Sequence, residues 1–432
     1  MEMSHLIILL ILLGSMAAYV PVFMCLFFTA VLSFLFFTDM PLLLLAQTLF
    51  RSLDAFALVV VLFFILCGNI MTAGSIVEKL IKVANALVSW LPGGLGMAGV
   101  LACGLFGAIS GSAVATVVAL GGFMIPALLE NGYDEKYTLG LMTTSPNLGV
   151  IIPPSIGMIL YSMISNVSLE GLFMTGFLPG ILIMLFTCIY TYVICRKQTN
   201  LVRKPIPTTR ELLTIIKEGF WSLMLPVIIF GGIFSGAFTA NEAAVVACVY
   251  AFIVELFIHR SMKLSAVKKV TISSAVTSAS LLIIVAGATC FGRLLTLQNI
   301  PGVLTEAVMS SIQSPFMFLL AMNILLLIVG MFMDIISATL ILGPVFLPML
   351  YAFHVDPMHF GLIMTVNLAI GYCTPPMGVS LYITGAMANR SLIYVSKAVI
   401  PFVIIQISVL LMLTYMPDTF LWLPKAFGFY QP

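Results

Sequence analysis

Two apolar stretches of this chain contain paired prolines: residues 145–155 read SPNLGVIIPPS and residues 367–378 read NLAIGYCTPPMG. The pairs are Pro153 with Pro154 and Pro375 with Pro376. A proline pair removes two amide donors and excludes a smooth helix, and a nearby glycine adds backbone freedom. Each stretch therefore predicts a helix broken in its middle, with carbonyls and half-helix ends free to bind ions.

The composition around these stretches is that of a membrane protein. Of 432 residues, 62% are apolar and 8% are charged, whereas soluble domains are about 25% charged. A water-soluble globule and a disordered chain are excluded. Eight cysteines without a CxxC pair exclude a disulfide-stapled scaffold, and a net charge of +2 argues against nucleic acid as a partner. We predict an all-α polytopic protein of the lipid bilayer, with room for about a dozen spans.

The N-terminus lacks a basic region, so we expect no cleavable signal peptide. The first apolar run, residues 6–37, is either one span or two short helices broken between Gly14 and Pro21, and this stays open. Residues 74–90 predict an amphipathic helix in the interface plane. Asp134 and Asp356 are expected to cap helices. Clusters of basic residues predict that two loops lie on the cytoplasmic side of the membrane. The first cluster is Arg196, Lys197, Arg203, Lys204 and Arg210, and the second is Arg260, Lys263, Lys268 and Lys269.

An internal repeat relates the two broken helices. At an offset of 222, the 35 positions from Leu120 to Pro154 show ten identities, including Gly149 with Gly371 and both proline pairs. Five predicted membrane crossings lie between a point in the first half and its equivalent in the second half. Because five is an odd number, equivalent points lie on opposite sides of the membrane. The repeat is therefore predicted to be inverted in the membrane, as in many secondary transporters.

Each broken helix follows a run, 96–129 or 315–351, that is too long for one span and short for two. Their middles read GAISGSAVAT (107–116) and GMFMDIISAT (330–339). We predict two re-entrant hairpins, whose tips leave backbone groups unpaired beside protein or water. Their oxygens come from Ser110, Gly111 and Ser112 in one half and from Asp334, Ser337 and Thr339 in the other. The alternative is that these small residues only pack helices closely.

Charged residues inside spans are functional candidates. Asp334 lies at a repeat-marked tip. Glu242 is a second candidate, and the alternative is that it is a charge at the helix N-terminus after Thr239. Arg293 is a third, and the alternative is that its long side chain extends to the membrane surface. HExxH, GxSxG and Walker A motifs are absent. Hydroxyl, carbonyl and carboxylate oxygens suit a hard cation, so we expect coupling to Na⁺.

Five segments together resemble the large membrane subunit of TRAP transporters, the DctM type, over essentially the whole chain: GAISGSAVATVVALGGFMIPALLENGY, LGVIIPPSIGMILY, GAFTANEAAVVACVYA, DIISATLILGPVFLPML and DPMHFGLIMTVNLAIGYCTPPMGVSLYITGAMA. The resemblance implies a multi-pass protein of the bacterial inner membrane that imports an organic acid without ATP. It implies two partners, a periplasmic substrate-binding protein and a small DctQ-type membrane subunit, here expected as a separate polypeptide. It also implies a mobile, elevator-type transport domain beside a scaffold.

The resemblance further implies site residues. Sodium ligands would be Ser110, Gly111, Ser112, Asn147 and Gly149 in one half, and Asp334, Ser337, Gly371 and Thr374 in the other. The substrate path would run near Ser155, Glu242, Arg293 and Asp334, beside the tip serines Ser110 and Ser112. The chain departs from the family pattern at Ser145-Pro146-Asn147, where relatives commonly have glycines, and at Gly157, where they commonly have proline.

This interpretation divides the chain into five parts. First-repeat scaffold and interfacial arm occupy 1–95, and the first hairpin and broken helix occupy 96–165. Linking helices with the second scaffold and arm occupy 166–314, the second hairpin and broken helix 315–390, and a C-terminal helix 391–432. Two other functions remain open: a stand-alone ion-coupled carrier of dicarboxylate or citrate type, and an intramembrane enzyme.

Overall fold

The computed structural model describes residues 3–18, 20–38, 40–198, 201 and 205–430, and the secondary structure there is helical. Arg203 and Lys204 of the first basic loop lie outside these ranges. Nine described helices are long and apolar enough to cross a membrane, or ten if one bent pair counts as a span. The all-α polytopic class is confirmed.

The first half of the chain begins with two short helices, which resolves residues 6–37 into a pair interrupted before Pro21. Its helices are α1 (Met3–Ala17), α2 (Val22–Phe37), α3 (Leu43–Leu53), α4 (Leu58–Ala73), α5 (Ile76–Val88), α6 (Gly94–Ser110), α7 (Ala113–Glu130), α8 (Glu135–Thr144), α9 (Leu148–Ile151), α10 (Ile156–Ser165) and α11 (Leu169–Arg196). A single 3₁₀ turn, Ser145–Asn147, joins α8 to α9.

The second half repeats this order. Its helices are α12 (Thr209–Phe234), α13 (Ala240–Ile253), α14 (Leu264–Leu297), α15 (Ile300–Ser311), α16 (Pro315–Phe332), α17 (Ile335–Ala352), α18 (Pro357–Gly371), α19 (Val379–Ala388), α20 (Leu392–Tyr415) and α21 (Pro417–Ala426). A widened turn of π-helix, Val254–Ile258, extends α13.

The repeat extends from sequence to helix boundaries. Helix α17 begins and ends 222 residues after α7. Asp134 and Asp356, also 222 apart, each accept a hydrogen bond from the backbone N–H three residues on, at Tyr137 and His359. Both are therefore N-caps, as predicted.

The two halves of the chain differ in the helices that precede α5 and α15. Helices α3 and α4 are bent by 50° at their junction, whereas their counterpart α14 is a single helix of 34 residues. At 1.5 Å per residue α14 is about 51 Å long, more than the roughly 30 Å hydrocarbon core. Part of α14 therefore extends beyond the apolar layer.

Two groups of helices pack among themselves and touch each other where α14 meets α17 and where α4 meets α6. Helix α14 packs against α2, α3 and α4, and α13 packs against α4 and α12. In the other group α6 packs against α7 and α9, α16 against α18, and α10 against α17. In the second group, the proline breaks lie next to the α6–α7 link and the α16–α17 link.

Candidate functional site

The link between α6 and α7, residues 110–112, is here named tip 1. Gly111 has φ of +63°, a left-handed conformation that favours glycine. Ser112 caps α7 by accepting from the backbone N–H of Ala115. The Thr116 hydroxyl donates to the Ser112 carbonyl over 2.7 Å and lies 3.3 Å from the Ser110 hydroxyl. Four oxygens, three from side chains and one from the backbone, thus lie close together at this tip.

The link between α16 and α17, residues 333–334, is tip 2. Asp334 caps α17, since its carboxylate accepts from the backbone N–H of Ser337 at 3.0 Å and from the Ser337 hydroxyl at 2.6 Å. The Ile335 N–H donates to the Tyr372 hydroxyl at 3.0 Å. Asp334 is half-buried and Ser337 is buried. Tip 2 therefore presents a carboxylate beside the second broken helix.

Close glycine contacts join α6 to the first broken helix and α16 to the second. A Cβ added at Gly107 would lie 2.3 Å from Cα of Gly149. One added at Gly371 would lie 2.5 Å from the carbonyl carbon of Gly330. Side chains at these positions would push the helices apart, so backbone approaches backbone in both halves.

The two breaks themselves are exposed to different degrees. Break 1, residues 145–155, is buried throughout, and Ser155 caps α10 by accepting from the N–H of Met158. Break 2, residues 372–378, exposes Pro375, Pro376 and Met377. Both Pro–Pro bonds are cis. A Cβ at Gly111 would lie 2.7 Å from the Pro154 carbonyl oxygen, so tip 1 adjoins break 1.

The breaks also meet each other. The Cys373 thiol lies 3.1 Å from the Thr143 carbonyl oxygen and 3.4 Å from Oδ1 of Asn147. Nδ2 of Asn147 donates to Oε1 of Gln406 on α20 at 2.9 Å. The structure therefore brings break 1 and break 2 into contact, and each of them carries predicted ligand residues of its own half.

Arg293 stands apart from the tips. Its side chain is exposed and lines a cavity of about 550 Å³ between α14 and α3 on one side and α17 and α10 on the other. Thr48, Ser52, Thr289 and Thr296 add hydroxyls to the wall. Among the described residues that line this cavity, Arg293 carries the only charge. Its cavity is suited to an anion.

Glu242 is placed in a different region. It forms a capping box with Thr239, accepting from the Thr239 N–H at 2.8 Å and donating its own N–H to the Thr239 hydroxyl. It lines a separate cavity of about 440 Å³ with Phe56 and Asn241. This geometry supports the capping interpretation.

Four residues of this region were not predicted: Thr116, Tyr372, Cys373 and Gln406. Thr116 had a signal, because it follows Ser112 by four residues and so shares a helix face. Gln406 had another, since an amide within the apolar helix α20 is costly unless it is paired. Tyr372 and Cys373 lie inside the second proline motif but carry no distinctive spacing.

Comparisons with known proteins agree with this architecture. The family described as tripartite ATP-independent periplasmic transporter, DctM component, matches residues 8–419. The C4-dicarboxylate TRAP transporter large permease protein DctM of Rhodobacter capsulatus is 37% identical over 441 residues, covering 99% of this chain and 100% of that protein. The isethionate TRAP transporter permease protein DctMQ of Oleidesulfovibrio alaskensis is 36% identical, over 88% of this chain and 60% of its own length.

The solved structure of the Alcanivorax borkumensis YdaH transporter resembles this fold with a TM-score of 0.63, at 15% identity, over 88% of this chain and 89% of that one. This likeness concerns the fold alone. The family match and the relatives go further: the chain belongs to the DctM family, the large multi-pass membrane component of bacterial tripartite ATP-independent periplasmic (TRAP) transporters, and is a transporter component and not an enzyme.

Proposed function

We propose that this protein imports an organic acid and that it couples the inward movement of the acid to the inward movement of sodium ions. A periplasmic binding protein delivers the acid, and a small DctQ-type subunit supports the chain in the inner membrane. Relatives named for C4-dicarboxylate and isethionate transport support an acidic substrate. The relative named DctMQ, which is longer than this chain, supports a small-subunit partner.

The observation that carries the proposal is the pair of tip–break contacts. Sodium prefers oxygen ligands, as hard cations do, and both contacts supply hydroxyls and backbone, with one carboxylate at Asp334. Within the described residues, the buried Ser145 hydroxyl in break 1 has no hydrogen-bond partner. The proposed ligands are Ser110, Gly111, Ser112, Asn147 and Gly149, and in the other half Asp334, Ser337, Gly371 and Thr374.

We assign α6–α10 and α16–α19 to an elevator-type transport domain and α1–α5 with α12–α15 to a scaffold. Ser155 and Met377 are equivalent under the 222-residue offset, yet Ser155 is buried and Met377 is 49% exposed. An inverted repeat explains this difference, because equivalent points then face opposite sides and exchange exposure when the domain moves.

The acid is proposed to pass between these groups of helices. Arg293 on α14 faces α17 and α10 across its cavity. A guanidinium binds a carboxylate or sulfonate through paired hydrogen bonds. The substrate path would therefore run from Arg293 to the tip residues Ser110, Ser112 and Asp334 and to Ser155, while Glu242 caps α13.

The test is uptake of labelled organic acids by proteoliposomes that contain this chain and its small subunit. An inward sodium gradient is compared with potassium, each with and without the binding protein. Uptake that needs both sodium and the binding protein supports the proposal. Uptake without the binding protein would support a stand-alone carrier, and equal uptake in potassium would contradict sodium coupling.

A further inference from the structure

A hydrogen-bonded chain of four buried polar groups connects the two breaks and α20. It runs from the Thr144 carbonyl to Gln406, then to Asn147 and to Cys373, with hydrogen-bond distances of 2.9, 2.9 and 3.4 Å. The side chains of Asn147, Gln406 and Cys373 are at most 2% exposed. Buried polar groups cost stability unless they are paired. The hydrogen bonds of this four-residue network therefore satisfy groups that would otherwise destabilise the protein.

Its direction follows from the donors and acceptors available. The Thr144 carbonyl only accepts, so the NH₂ of Gln406 faces it. Oε1 of Gln406 is then the acceptor for Nδ2 of Asn147. This leaves Oδ1 of Asn147 facing Cys373, whose single thiol proton is shared between that oxygen at 3.4 Å and the Thr143 carbonyl at 3.1 Å. Both amide orientations are thereby determined.

This hydrogen-bonded chain contains one proposed sodium ligand, Asn147, and lies beside others in both halves. Asn147 precedes Gly149 by two residues, and Cys373 lies between Gly371 and Thr374. The repeat does not duplicate it, because the 222-residue offset pairs Asn147 with Ala369 and Cys373 with Ile151. One such contact, and no symmetric copy, joins the halves along this route.

We propose that the Thr144–Gln406–Asn147–Cys373 chain couples the two sodium half-sites, an inference that rests on the proposed sodium-driven function. A cation that orders one break fixes the position of Asn147 or Cys373, and the hydrogen bond then favours the ordered form of the other break. Binding at one half-site therefore raises affinity at the other. Cys373 and Gln406 act as positioning residues that contact no sodium.

The test measures uptake against sodium concentration in the complete reconstituted system. Cys373→Ala removes the donor, Cys373→Ser restores one, and Cys103→Ala replaces another buried cysteine, which belongs to α6 and to neither tip nor break in the sequence. We expect Cys373→Ala to lower the Hill coefficient towards 1 and to raise half-saturating sodium about fivefold. Cys373→Ser should recover most of the wild-type behaviour, and Cys103→Ala should match the wild type.

A second variant tests the other end of the chain. Gln406→Glu keeps an acceptor for Asn147 but loses the donor to Thr144, so it should also lower the Hill coefficient, even if Cys373→Ala does not fold. Thermal unfolding in detergent with and without sodium shows which variants fold. Unchanged sodium curves in folded Cys373→Ala or Gln406→Glu would overturn the coupling, as would a wild-type coefficient of 1. Wild-type uptake indifferent to sodium would instead overturn the proposed function.

Discussion

At the scale of single residues, the repeat places different chemistry in one structural position. Ser112 and Asp334 are equivalent under the 222-residue offset, and both cap the second helix of a pair. A serine cap leaves tip 1 neutral, whereas the aspartate brings a formal negative charge to tip 2. We infer that tip 2 balances the charge of a bound cation, while tip 1 relies on hydroxyl and carbonyl dipoles.

Two substitutions at Asp334 separate its charge from its cap. Asparagine is as good an N-cap as aspartate, so Asp334→Asn should fold like the wild type but lose sodium-driven uptake by roughly tenfold or more. Asp334→Ala should abolish uptake and also lower the unfolding temperature modestly. Uptake assays and thermal unfolding are compared for both. Wild-type uptake by folded Asp334→Asn would rule out tip 2 as a charged sodium site.

Arg293 belongs to the same scale, since it is proposed to bind the acid and not sodium. Arg293→Met should raise the half-saturating concentration of the acid roughly tenfold, because a charged hydrogen bond is lost. The sodium dependence should change little. Lys268→Met, which removes an exposed charge from the same helix, is the control. Equal effects of the two substitutions would show that only the general charge of α14 matters.

At the scale of helices, α5 is held at one end by a buried carboxylate. Glu255 is fully buried and accepts from the backbone N–H groups of Ser75 and Ile76, both at 2.8 Å. The Ser75 and Ser261 hydroxyls also donate to it. The carboxylate therefore satisfies the N-terminal amides of α5 from a neighbouring helix, where a negative charge is favourable.

Glu255→Gln keeps the size of this side chain but replaces an acceptor oxygen by a donor. We expect a loss of about 1–2 kcal/mol in the free energy of unfolding. Glutamine keeps one oxygen for the two backbone amides, but it loses the negative charge that is favourable at the N-terminus of α5 and the second oxygen that accepts from the Ser75 and Ser261 hydroxyls. Glu78→Gln on α5 is the control, since the Glu78–Lys82 pair is 2.8 Å apart but largely exposed and contributes little. Similar unfolding temperatures for both variants would contradict the anchoring role of Glu255.

The glycine contact between α6 and break 1 is a second feature of this scale. Gly107→Ala should cost about 1–3 kcal/mol through overpacking and should weaken sodium dependence, because tip 1 is pushed away from Gly149. Gly122→Ala is the matched control, since nothing lies within 4 Å of a Cβ added there. Uptake at varied sodium tests the pair, and a Gly107→Ala protein with wild-type sodium affinity would show that close approach is unnecessary.

At the scale of the whole molecule, the proposed inverted repeat predicts exchange of exposure between equivalent sites. In the structure Met377 is exposed and Ser155 is buried. Met377→Cys should react with a membrane-impermeant maleimide from one side, and Ser155→Cys should be protected. Adding sodium, acid and binding protein should slow the first reaction and allow the second from the opposite side. Labelling of both sites from one side would contradict inversion.

Much of this molecule is determined by local sequence. Apolar composition requires a membrane fold, proline pairs interrupt helices wherever they occur, and the 222-residue offset recurs in helix ends and caps. These features depend on neighbouring residues and on backbone chemistry, so the broken helices and the tips were predicted from Pro153, Pro375, Ser112 and Asp334. Sodium coupling, inversion and elevator movement stay predictions.

The tertiary structure alone decided which of these parts meet. Cys373 contacts Asn147 across 226 residues, and Gln406 reaches Asn147 across 259. Arg293 lines a crevice formed by α3, α10, α14 and α17, a combination of helices that the sequence does not indicate. No periodicity encodes such pairs, because they depend on how closely helices approach, and glycine contacts such as Gly107 with Gly149 set that distance. Local sequence thus specifies the individual elements and their repetition, whereas packing between distant helices specifies which elements touch.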